Sequence, residues 1–175
     1  MRVYALRMSP PVTVRRPVVS DVAGMARVHV ASWRQTYRGL MPDSVLDDPE
    51  LPAARERFWT GALTDPRYAG NRMAVAELDD AVIGIAMSGP PEDADATWGA
   101  QLFLIYVDAI HHGSGAGPAL LDAVVDPWEP AALWVADPNP RAQAFYRKHG
   151  FMPDGHSRVE GGVRAVRLVR AARPT

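Results

Sequence analysis

The residues best placed to do chemistry lie between Val107 and Leu121, in the run Val107-Asp108-Ala109-Ile110-His111-His112-Gly113-Ser114-Gly115-Ala116-Gly117-Pro118-Ala119-Leu120-Leu121. Three glycines at alternate positions follow an apolar strand-like segment and open a helical one. Such a turn can aim successive backbone N–H groups at one point, where the start of a helix also favours negative charge. Glycine removes the Cβ that would keep an anion away from the main chain. The chemistry this suits is a seat for a phosphate or diphosphate. The same spacing also suits an ordinary flexible turn, and both readings stand at this level. Cysteine is absent, which excludes thiol nucleophiles, disulfides and thiolate metal sites. The five histidines are scattered apart from His111-His112, with no HExxH spacing.

The elements that must hold this loop are legible on both sides of it. Gln101 to Val107 is nearly continuously apolar, as expected of a central strand buried on both faces. After the loop, Leu120, Leu121, Val124 and Val125 share a helix face, with Asp122 outside and Pro127 as a stop. Ala131 to Val135 reads as a further strand. Asn139-Pro140 then starts a helix, Asn capping free N–H groups and Pro fitting the first turn. Ala142, Phe145, Tyr146 and His149 share its face, Gly150 is the left-handed stop, and Phe151 packs back over it.

Upstream, Val12 to Arg15 reads as a first strand ended by Pro17, and Ser20 or Asp21 as the cap of a helix. That helix buries Val22, Met25, Ala26, Val30, Trp33 and Tyr37, and ends at Gly39 and Pro42. Asp43 to Glu50 reads as an acidic, solvated linker, and Pro52 opens a helix through Phe58, Trp59 and Leu63. Residues 73–78 and 81–87 flank Asp79-Asp80 as a two-residue hairpin. Val159 to Val163 forms a second hairpin into a last strand through Val169, whose apolar spacing also suits a helix. Residues 1–11 read as a loose leader and 12–175 as a single domain.

The 175 residues suffice for a sizeable core without metal or disulfide staples. Nineteen Lys+Arg against twenty Asp+Glu give a net charge of −1. So balanced a chain has no field to hold nucleic acid or an anionic membrane, and neither is expected as a partner. No long apolar run marks the N-terminus as a signal peptide or membrane span. With the lack of cysteine, this leads to an expected cytoplasmic location.

His112-Gly113-Ser114-Gly115-Ala116-Gly117 resembles the (Arg/Gln)-x-x-Gly-x-(Gly/Ala) acetyl-coenzyme A motif of the GNAT N-acetyltransferase superfamily. Asn139-x-x-Ala142-x-x-x-Tyr146-x-x-x-Gly150-Phe151 is similar to its second motif. Val14-Arg15 with Asp21, and Trp33-x-x-x-Tyr37, look like its opening. The resemblance implies an α/β (α+β) GNAT fold: a mixed, mostly antiparallel sheet of six to seven strands, flanked by about four helices and splayed into a V between the fourth and fifth strands. It implies acetyl-CoA as co-substrate, lying in that V, its pantetheine arm bonded to the main chain near Ile105 and Val107. The pyrophosphate falls to the loop His112, Gly113, Ser114, Gly115, Ala116, Gly117 and Pro118, with Asn139 on the far side. Tyr146 is the implied general acid to the departing thiolate, and a strand N–H near Val107 the oxyanion donor. Trp33 and Tyr37 become candidate walls of the site for a small-molecule or peptide amine. No metal is implied, and a homodimer fits, dimers being common in that family.

Three positions depart from the family pattern. His112 replaces Arg or Gln, supplying a weaker, pH-dependent charge. Pro118 removes one N–H, at a helix position where Pro is tolerated. Gln101 stands where several members carry a Glu base, and Gln cannot accept a proton, so no base is assigned. Each residue also has a plainer role: Tyr146 as core, Asn139 as a cap only, His29 as a buried, satisfied histidine. Gln101 supports a second reading, a non-catalytic acyl-CoA-binding module. A third, an S-adenosylmethionine-dependent methyltransferase with Asp137 on a ribose, conflicts with the 58 residues left after Gly117, too few for the further strand–helix units required.

Overall fold

The computed structural model describes residues 11–172; all of the expected leader except Pro11 lies outside them. Strand β1 (Thr13–Arg15) leads through a 3-10 turn into helix α1 (Val22–Tyr37), followed by α2 (Asp43–Leu46) and α3 (Leu51–Thr64). Then come β2 (Arg72–Leu78), β3 (Ala81–Gly89), β4 (Ala100–Val107), α4 (Ala116–Val124), β5 (Ala131–Ala136), α5 (Pro140–Lys148), β6 (Met152–Glu160) and β7 (Val163–Arg170). The seven strands form one sheet in the order β1-β2-β3-β4-β5-β7-β6. Only β4 and β5 run parallel; every other neighbouring pair is antiparallel. That order overturns the methyltransferase reading, which needs a mainly parallel, doubly wound sheet.

The sheet divides two apolar layers. On one face α1 and α3 pack Met25, Val28, Trp59 and Ala62 against Val75, Ile85 and Met87. On the other, α4 brings Leu120, Leu121, Val124 and Val125, all without solvent exposure, against β2, β3 and β5. Gly84 lets α4 lie this close: a Cβ there would sit 2.9 Å from Leu120 Cδ1. The seating of α4 fixes where its N-terminus meets the end of β4.

Several local expectations need correction. Asp21 gives no cap bond to α1; its carboxylate instead accepts from the Arg15 guanidinium at 2.8 and 2.9 Å and from the Val18 N–H. Arg15 and the backbone bond hold that carboxyl below the usual range, although burial opposes them. The acidic linker is no free loop. It contains α2, buries Leu46 completely, and returns Asp43 and Asp47 to Arg38 at 2.8 and 2.7 Å. The last segment is a strand, and the first arm of its hairpin is longer than expected: β6 begins at Met152 rather than near Val159. Asn139 does cap α5, accepting from the Ala142 N–H at 3.2 Å, and Gly150 takes φ +85°. Among the described residues no helix is long and apolar enough to cross a membrane.

Candidate active site

Pairing between β4 and β5 stops after Leu102↔Leu133, although β4 runs on to Val107 and β5 to Ala136. Beyond that point the strands diverge and leave a V-shaped groove with two unpaired edges. This corrects the expectation for β4: Ala100 to Leu102 are buried, whereas Phe103 to Val107 are only half-buried, because the neighbouring strand has departed.

The hydrogen-bond alternation decides which main-chain groups face the groove. Asp108 N–H donates to Ile83 O at 2.8 Å. In an antiparallel pair every second residue bonds its partner. Tyr106 and Leu104 therefore turn their main-chain groups to β3, and Ile105 and Val107 turn theirs into the V. His112 agrees with this phase, its Nε2 lying 2.8 Å from Val107 O. Since a carbonyl only accepts, the bond requires the proton on Nε2. Burial first, then the nearby Arg141, disfavour a charged ring, although the Val107 bond pulls the other way. At neutral pH His112 thus supplies a hydrogen bond to the strand end rather than the charge expected of it.

The glycine turn opens as a cradle. Gly113 and Gly115 have φ +84° and +89°, and a Cβ at either would meet nothing within 4 Å. Two of the six expected amides are already used: His112 N–H bonds Ala109 O, and Ser114 N–H bonds His111 O, both at 3.2 Å. Ala116 N–H is held loosely by Ser114 Oγ at 3.4 Å. Among the described residues no acceptor partners the N–H groups of Gly113, Gly115 and Gly117. Pro118 has no N–H to offer. Such alternate free amides at a helix start suit an anion. Gly117 has a second duty, since its missing Cβ admits Phe145 of α5, whose Cε2 would lie 3.3 Å away. The Asn139 carbonyl is taken by its cap bond, so only its side-chain NH₂ is left to face a ligand.

Four aromatic side chains from α1, β4 and α5 meet at the other end of the groove. Trp33 Nε1 donates to the Tyr106 hydroxyl at 3.2 Å, and the Trp33 and Tyr37 rings meet edge to face at 5.6 Å. Burial, and next the adjacent Tyr37 hydroxyl, push both the Tyr106 and Tyr146 phenols well above the ordinary phenol range. Both keep their protons throughout the neutral range, so each hydroxyl retains a hydrogen to donate. Tyr146 is nonetheless packed as the core reading required, with 8% exposure and its ring 6.1 Å from Phe151. Gln101 is buried where the strands are still paired, and its Oε1 accepts from Glu92 N–H at 3.0 Å. Tyr106, Arg55 and Arg141 were missed in the sequence. Tyr106 could have been found from the strand's alternation; the two arginines carried no local signal.

His29 is buried as expected but not satisfied: its Nδ1 has no partner among the described residues. Burial, and then the Arg55 cation, lower its protonation to about 3. The unfolded chain protonates this side chain near 6.5. Between those values the unfolded state binds more protons, so stability falls as pH falls, by up to about 1.4 kcal/mol per pH unit. His29→Leu should flatten the decline in melting temperature between pH 6.5 and 4.5. Equal slopes in both proteins would contradict this.

Comparison with known proteins agrees with this architecture. The acetyltransferase (GNAT) family model matches residues 22–151, and the chain belongs to that family. It is 27% identical over 143 residues to the uncharacterized N-acetyltransferase YuaI of Bacillus subtilis (strain 168), covering 79% of each chain. An uncharacterized N-acetyltransferase of Mycobacterium tuberculosis (strain ATCC 25618 / H37Rv) is 34% identical over 113 residues, 62% of this chain and 66% of the relative. In fold it is similar to the PaiA N-acetyltransferase of Thermoplasma acidophilum, solved in complex with coenzyme A. That likeness has a TM-score of 0.70 at 16% identity, over 94% of this chain and all of the other.

Proposed function

We propose that this chain transfers the acetyl group of acetyl-CoA to a primary amine of a small molecule or peptide, by direct attack. The observation that carries the reading is the order of groups along the V: free amides at Gly113, Gly115 and Gly117, then the unpaired β4 edge at Ile105 and the Val107 N–H, then the phenols of Tyr37, Tyr106 and Tyr146. The coenzyme A bound by the fold neighbour supports it. In this reading the amides hold the diphosphate and the β4 edge pairs with the pantetheine amides, like an added strand.

A neutral amine attacks the thioester carbonyl carbon; the carbon–sulfur bond then breaks, the nitrogen gives up a proton and the sulfur gains one. Holding the two reactants together supplies most of the acceleration. The Val107 N–H, turned into the V, stabilises the oxyanion. Tyr146 donates a hydrogen bond to the developing thiolate. A phenol raised by burial does this without surrendering its proton completely, so it serves as a donor over a wide pH range. With Gln101 engaged by Glu92, the amine must arrive already neutral or lose its proton to water.

Incubation with acetyl-CoA and a panel of amines should release free coenzyme A thiol together with acetylated amine. Acetyl-CoA should also raise the melting temperature. The engagement of Gln101 favours one second reading, a non-catalytic acyl-CoA-binding module. Stabilisation by acetyl-CoA with no thiol release from any amine would select it, and no stabilisation would defeat both.

A further inference from the structure

Among the described residues, Arg55 of α3 is a cation with no anion beside it. Its guanidinium carbon lies 4.2 Å from the centre of the Trp33 ring, and its Nε is buried without a hydrogen-bond partner. The other arginines that are not fully exposed, among the described residues, all have partners. Arg34 donates to Leu46 O, Arg167 to Asp95 and Asp154, and Arg170 to Asp126 O. Burial disfavours the Arg55 charge, and the one group that offsets this is Tyr106 rather than a carboxylate. A half-buried guanidinium over an indole is partly compensated by the ring, but its N–H donors are left to be filled from outside.

The position of this cation is informative. Trp33, on which it rests, donates to the Tyr106 hydroxyl, and Tyr106 lies on β4 between Ile105 and Val107. Arg55 therefore stands on the Trp33 and Tyr106 wall, at the end of the groove carrying Tyr146. Of the acidic side chains on α2 and at the end of β4, Asp43 and Asp47 are bound to Arg38, and Asp108 to Arg27. A fixed cation on this wall repels a second ammonium group.

We infer that Arg55 seats a carboxylate carried by the acceptor, so that the substrates are amines that also bear a carboxylate, such as amino acids, rather than polyamines. The inference rests on reading the groove as an acyl-transfer site. A guanidinium binds a carboxylate through paired N–H donors, and a low-dielectric aromatic surround strengthens the attraction. The same cation lowers the proton affinity of an amine brought near it. That raises the neutral fraction of the acceptor in a site where Gln101 replaces a carboxylate base.

The test compares standard amino acids with their own α-carboxamides, in calorimetric binding to the coenzyme A-loaded protein and in thiol release from acetyl-CoA. Arg55→Met keeps a stem over Trp33 and removes the charge; Arg55→Lys keeps the charge and loses the fork. Melting temperatures monitor folding of both. The acid-to-amide ratio of affinities in the unaltered protein should fall on the order of tenfold to a hundredfold in Arg55→Met, the range of a charge-assisted hydrogen bond. It should fall less in Arg55→Lys. Comparing ratios cancels the intrinsic difference in reactivity between acid and amide. An unchanged ratio in Arg55→Met, or no binding of either member to the unaltered protein, overturns the inference. Acid-selective, Arg55-dependent binding without thiol release would keep the carboxylate seat and defeat the transfer reading. Thiol release with an unchanged ratio would do the reverse.

Discussion

Replacing Tyr146 with phenylalanine should lower acetyl transfer about a hundredfold or more, the usual worth of a positioned proton or hydrogen-bond donor, while coenzyme A affinity stays within a few-fold. The ring of Tyr146 packs against Phe151 and Phe145, at 6.1 and 5.3 Å, and phenylalanine keeps that packing. Only the hydroxyl is lost, on the side of Tyr37. Steady-state turnover with a saturating amine, set beside calorimetric titration of coenzyme A, separates the two effects. An unchanged rate would return Tyr146 to a purely packing role. A large loss of coenzyme A affinity at an unchanged rate would make it part of the binding site alone. Because burial keeps the phenol protonated, any alkaline loss of rate below about pH 10 belongs to another group.

Gly115→Glu should abolish measurable coenzyme A binding. The position begins α4 at φ +89°, and a side chain there projects into open space within the proposed diphosphate seat. A carboxylate would occupy that space and repel the diphosphate. Holding an L-residue in the left-handed region costs about 1–2 kcal/mol, too little by itself to unfold a domain of this size. The variant should therefore melt somewhat lower yet remain folded, and acetyl-CoA should no longer raise its melting temperature. Wild-type affinity in this protein would remove the diphosphate from position 115.

The sequence disclosed the frame of the site better than its contents. The glycine turn, the Asn139 cap and the Gly150 stop were legible because each follows from local backbone chemistry. The divergence of β4 from β5 was implied only by family resemblance, since an apolar run such as Gln101 to Val107 says nothing about where its neighbour leaves it. Asp21 illustrates a different failure. It has the right type and position for a cap, but Arg15, six residues away, offered its carboxylate a better partner. Asp43 and Asp47 looked solvated because nothing nearby in the chain announced that Arg38 would gather them. The first part of β6 was missed because Pro153, Asp154, Gly155 and His156 lack strand character, and the pairing with β7 prevails over propensity. Arg55 was invisible for a related reason: what marks it is the lack of a partner, which only a three-dimensional arrangement can reveal.

The outer rim formed by β6 has a consequence for how copies of the chain could meet. Its register slips between Pro153 and Ser157, nearly every residue along it faces solvent, and Arg158 and Glu160 pair with one another along it. A kinked, charged border with a proline is a poor template for another strand. Self-association by lengthening the sheet there is disfavoured, and so is the kind of strand stacking that seeds fibrils. A twofold assembly is expected to bury some other face and to leave this border in solvent.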